Sequence, residues 1–83
     1  MAAECEALQA ALSSYRACNH LEDDDRYELD AWIERSRIDY AAAVKASPEA
    51  KAQHAIAVAC HRAISSVNAA HERCTAGPRP VDR

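Results

Sequence analysis

The chain has 83 residues, 13 acidic and 10 basic, for a net charge of −3. That length makes one domain with a small core. The intermixed charge argues against a nucleic-acid surface and supplies no basic patch for a membrane, and no apolar run approaches the ~20 residues of a membrane span.

The first element in the chain is a helix expected from about Ala3 to Cys18. Cys5, Leu8, Leu12 and Tyr15 recur in a 3-4-3 pattern that marks an apolar seam. Asn19 suits a left-handed stop, and Leu21 is placed to fold back onto the last turn. The acidic run Glu22-Asp23-Asp24-Asp25 then reads as a helix start, with Asp25 and Glu28 at capping-box spacing and negative charge suited to the helix dipole. The second helix is expected from about Asp25 to Ala46, with Leu29, Trp32, Ile33, Ser36, Tyr40, Ala43 and Val44 on one face. At Ser47-Pro48-Glu49 the spacing predicts a boundary, with Ser47 as cap, Pro48 at the first helical position and Glu49 as first-turn charge. The third helix is expected from about Pro48 to Cys74. Its seam of Ala57, Cys60, Ile64, Val67, His71 and Cys74 is the most regular in the chain. Gly77-Pro78-Arg79-Pro80 ends regular structure, leaving a bundle over 1–76 and a disordered tail over 77–83.

Twenty residues are alanine and none is phenylalanine. Helix propensity is therefore high, while each residue buries little area. A short chain with a thin core and an even number of cysteines points to disulfide staples and an oxidising compartment. The close C-x2-C pairs of a zinc site are absent, and no signal peptide is visible after Met1.

Cys5 and Cys18 are 13 residues apart, and Cys60 and Cys74 are 14 apart. Short turns near residues 20–23 and 47 make three helices run up, down, up, so the first and third are parallel. Counting residues back from each turn puts Cys5 level with Cys60 and Cys18 level with Cys74. The expected fold is an all-α, up-down-up three-helix bundle with two disulfides, Cys5–Cys60 and Cys18–Cys74, joining the first and third helices. Thirteen residues leave Cys5 and Cys18 about 140° apart on an ideal helix, so Cys18 is expected in a tightened or frayed last turn. The crossed pairing, Cys5–Cys74 with Cys18–Cys60, requires antiparallel helices. It is similar to the twin-cysteine hairpins of coiled-coil-helix-coiled-coil-helix proteins, whose spacings are shorter and whose cysteine helices are adjacent.

Tyr15-Arg16-Ala17-Cys18 closing the first helix, Arg26 and Trp32 on the second, Ser47-Pro48-Glu49-Ala50-Lys51, then Cys60 and Cys74 form a pattern covering roughly Cys5 to Cys74. It resembles small, Ala-rich, four-Cys helical domains of secreted or lipoprotein type in myxobacteria and their relatives. That family has no established activity. The resemblance implies an envelope location and carries over no catalytic residue; His61, after Cys60, lies outside the pattern.

Sites with chemistry are few. His71 and Cys74 are three apart and face the same side of a helix. With reduced thiols, Cys18 would complete a Cys/Cys/His zinc-like set; otherwise Cys74 is half of a disulfide and His71 fills a seam position. His54 and His61 are seven apart, too far to share an ion. The Glu22–Asp25 run lacks the alternating ligands and glycine of a calcium loop, and reads as cap and dipole partner. Cys60-His61 is only the end of a haem-attachment motif. Ser13, Ser14, Ser65 and Ser66 have no glycine elbow or oriented base.

On the second helix, Tyr27, Ala31, Ile38 and Ala42 form a stripe opposite Leu29, Ile33 and Tyr40. A helix in a three-helix bundle buries about half its circumference, so this stripe is surplus to the core. It reads as a face for a protein partner or a homo-oligomer, anchored by Tyr27 and Ile38, or else as isolated exposed apolar residues. The expected function is an extracytoplasmic (periplasmic, envelope-tethered or secreted) protein-binding or structural module with no catalysis and no cofactor. The alternatives are an inhibitor of a cell-wall hydrolase and a metal-binding module.

Overall fold

A computed structural model describes residues 1–77. Three helices follow in order: α1 (Ala2–Arg16), α2 (Asp23–Ala46) and α3 (Ala50–Thr75). They form the up-down-up bundle, and the disulfides are Cys5–Cys60 and Cys18–Cys74. The two rungs occur in the same order on both partners, so α1 and α3 run parallel. The predicted disordered tail lies outside the described residues, except for its first residue, Gly77.

Buried residues follow the two cysteine seams. Cys5, Leu8 and Leu12 of α1 are buried, as is Val67 of α3, and Leu21 folds back into the same cluster. Tyr15, Cys60, Ala63, Ile64 and Cys74 pack around them. Cys18 lies past the end of α1, as its angular offset requires. Its N–H donates to the Tyr15 carbonyl at 3.0 Å and the Ala17 N–H to that of Ser14 at 3.2 Å. These three-residue links tighten the last turn and swing Cys18 toward Cys74.

Three local expectations are corrected. Asn19 is not left-handed; among non-glycine residues of the described chain only Ser47 has positive φ, at 48°. The N-cap of α2 is Glu22 rather than Asp25: Asp25 sits at the third helical position, where its carboxylate accepts from the Glu22 N–H at 3.2 Å. Three consecutive aspartates can all occupy a helical first turn because the dipole favours each of them. Ser47 closes α2 in a left-handed conformation, its N–H donating to the Val44 carbonyl, and does not cap α3. Pro48 clashes with a right-handed helical residue before it, so α2 must end here. The N-cap of α3 is Glu49, and the Pro48 carbonyl accepts from Gln53 Nε2 at 2.8 Å.

A further difference bears on function. The closest association is between α1 and α3; α2 approaches α1 more closely than α3, and no Cα of α2 comes within 8 Å of one in α3. At about 1.5 Å per residue, α1 is about 22 Å long, whereas α2 and α3 reach about 36 and 39 Å. The body is correspondingly elongated, 52 × 19 × 18 Å.

Candidate interaction face

A helix close to one neighbour and looser against the other buries a narrow stripe, and α2 does so. Leu29 is its only buried residue, with Ile33 beside it against the core. Trp32 and Val44, expected on the buried face, are 43% and 49% exposed. Both lie at the edges of that face, where burial gives way to solvent. Trp32 instead borders a shallow recess with Tyr15, Asp25, Glu28 and Leu29.

Polar contacts fix the rotation of α2 about its axis. Arg16 at the end of α1 grips Asp30 with two hydrogen bonds, Nε to Oδ1 at 2.8 Å and Nη2 to Oδ2 at 3.2 Å. These bonds and the guanidinium charge hold the Asp30 carboxyl below its ordinary pKa and raise that of Arg16. Arg26 donates to the Cys18 carbonyl at 3.5 Å and pairs with Asp23 at 3.4 Å. Toward the other end, Tyr40 Oη donates to Glu6 Oε2 at 3.5 Å. Desolvation, followed by the Glu6 charge and this hydrogen bond, pushes the Tyr40 phenol above its usual pKa.

With α2 clamped in this way, Tyr27, Ala31, Ile38 and Ala42 point away from α1, and all four are exposed. Tyr27 is 79% exposed and Ile38 53%. Salt bridges within the helix flank them, Arg37–Glu34 at 2.7 Å and Arg35–Asp39 at 3.3 Å. The backbone of this face is thus that of a regular helix.

The other predicted site residues fall elsewhere. Cys18 and Cys74 are bonded to each other, so neither offers the thiolate a zinc site requires. His71 is half-buried beside Tyr15, ring centres 5.9 Å apart, and its carbonyl accepts from the Thr75 hydroxyl at 2.9 Å. Among the described residues no group of three or more His, Cys, Asp or Glu side chains is placed to hold a metal ion. Ser13, Ser14, Ser65 and Ser66 are exposed on helix surfaces.

Sequence reasoning missed one feature. Where α2 and α3 diverge, an open cleft of about 280 Å³ lies over the Cys5–Cys60 disulfide, lined by Leu8, Tyr40, Ala43 and Ile56. Periodicity assigns Tyr40 and Ala43 to the inward face of the second helix, but carries no signal that a cleft opens beside them. The cleft is smaller than the roughly 300–1,000 Å³ of typical small-molecule sites.

No family model, curated protein or solved structure matches this chain. No helix among the described residues is long and apolar enough to cross a membrane.

Proposed function

We propose that the protein is a non-catalytic binding module of an extracytoplasmic compartment, and that the outward face of α2 is its contact surface. The exposure of Tyr27 and Ile38 on a helix clamped from behind by Arg16, Leu29 and Tyr40 carries this reading. Aromatic and branched aliphatic side chains on a rigid element are typical interface anchors, and a solvated face gives them no other work. Two disulfides in a chain of 83 residues support the compartment. The α1–α3 pair then acts as a brace, and α2 as the element it displays. Inhibition of an envelope hydrolase is one form this binding can take, with the same face covering the enzyme.

The test is retention of an envelope-fraction protein on immobilised wild-type chain compared with Tyr27→Ala/Ile38→Ser. Both positions are solvated, so the variant keeps its helicity and its disulfide map. Loss of a defined retained protein in the variant supports the reading; equal retention by both removes the α2 face from it.

A further inference from the structure

The outer stripe of α2 is longer than its four apolar residues. Going outward from them, Asp24 and Lys45 lie on the same face, and Glu34 and Arg35 flank its middle; all are exposed. From Asp24 to Lys45 the stripe takes six steps, Asp24, Tyr27, Ala31, Glu34/Arg35, Ile38, Ala42 and Lys45, across 21 residues. The mean step of 3.5 residues is that of a two-helix coiled-coil seam, not of an isolated helix.

The stripe is also self-complementary about its midpoint. A residue at a given distance before the Glu34–Arg35 bond has a matching residue at the same distance after it. Those matches are Glu34 with Arg35, Ala31 with Ile38, Tyr27 with Ala42 and Asp24 with Lys45. Each match joins large with small or acid with base. The charge of the whole helix follows the same division. Residues 23–34 hold six acids and one base, whereas residues 35–46 hold three bases and one acid.

We propose that two copies of this chain associate through α2, packed antiparallel about a twofold axis passing between Glu34 and Arg35. This assignment rests on the reading of α2 as the contact face and names its partner. A twofold interface places every residue against its match on the other copy. Tyr27 of one protomer then rests on Ala42 of its partner, and Ile38 on Ala31, so each large side chain meets a small one twice. Asp24 pairs with Lys45 at both ends. Glu34 and Arg35 lie on opposite edges of the stripe, where they keep their exposed bridges to Arg37 and Asp39 of their own helix. A parallel alignment would set acid against acid and base against base. The opposite side of α2 carries Leu29 and Ile33 against the core, so the clamp on α1 leaves the seam free. A single helix pair buries less than the ~1,200–2,000 Å² of a standard stable interface, which puts the dimer in the micromolar range or weaker.

The experiment is sedimentation equilibrium of the oxidised full chain from ~1 µM to ~1 mM, at low ionic strength because the terminal pairs are exposed and screened by salt. Wild type is expected to show a monomer–dimer equilibrium. Tyr27→Ala/Ile38→Ser should raise Kd by at least ~100-fold, since each residue is lost twice. Asp24→Lys and Lys45→Asp should each raise it by ~10-fold, and the combined Asp24→Lys/Lys45→Asp should return it to within ~3-fold of wild type. Circular dichroism verifies that each variant keeps its helices. Wild type remaining monomeric at ~1 mM overturns the dimer; if Tyr27→Ala/Ile38→Ser at the same time loses a retained partner, the contact face stands with a different occupant. A dimer that Tyr27→Ala/Ile38→Ser leaves unchanged overturns both. A combined charge reversal weaker than either single one overturns the antiparallel register.

Discussion

Leu12 and Val67 are the two side chains most fully removed from water, at 0% and 1% exposure, and they belong to the two helices that the disulfides join. In a core so small each carries an outsized share of the burial energy. Leu12→Ala is expected to lower unfolding free energy by about 3 kcal/mol, read as a lower urea midpoint with unchanged slope. A midpoint shift close to zero would mean that the disulfides, not Leu12, hold α1 to α3. Ser47 shows the opposite kind of residue effect. It accepts a left-handed backbone, φ 48°, because the following proline forbids continuation of the helix. Gly77, at φ 108°, does the same at the end of α3 with no side chain to strain, its N–H donating to the Cys74 carbonyl at 3.0 Å.

Among the elements, α2 buries only Leu29 fully, and its attachment depends on charge as well as burial. The carboxyl of Asp30 has its pKa lowered in the folded state by the hydrogen bonds and charge of Arg16. A group whose pKa falls on folding stabilises the fold fully above its unfolded value, and the contribution disappears as pH drops through the folded value. Wild type should therefore melt higher than Asp30→Asn near pH 6, and the gap should close as pH approaches ~2. A gap independent of pH would show that the pair contributes shape and not charge. Both side chains are substantially solvated, 38% and 57% exposed, so the gap is expected to be small.

At the scale of the molecule, the rungs at Cys5–Cys60 and Cys18–Cys74 turn α1 and α3 into one rigid ladder. Once either rung has formed, the second closes a loop of about 27 residues, made of the 13 from Cys5 to Cys18 and the 14 from Cys60 to Cys74. Loop entropy then assigns it about 3.5 kcal/mol, a large part of the stability of a domain this size. Trypsin cuts at Arg16 between Cys5 and Cys18, and at Arg62 and Arg73 between Cys60 and Cys74. Digestion without reduction is expected to yield residues 1–16 joined to 52–62, and 17–26 joined to the peptide beginning at Cys74. Crossed peptides would mean antiparallel α1 and α3, and four free thiols would remove the brace altogether.

Sequence alone determined the three helices, their up-down-up course and the pairing of the cysteines. Helical period, proline and acidic run are local signals, and residue counts between turns translate directly into height along a bundle. It also marked Tyr27, Ala31, Ile38 and Ala42 as a face apart from the core, because opposite sides of one helix are separated by periodicity. Only the tertiary structure decided that α2 sits closer to α1 than to α3. Side-chain pattern records which face is apolar, but the angle between two helices depends on how all the contacting side chains pack together. That packing exposes Trp32 and Val44, opens the cleft above Cys5–Cys60, and leaves the outer seam of α2 unobstructed from Asp24 to Lys45.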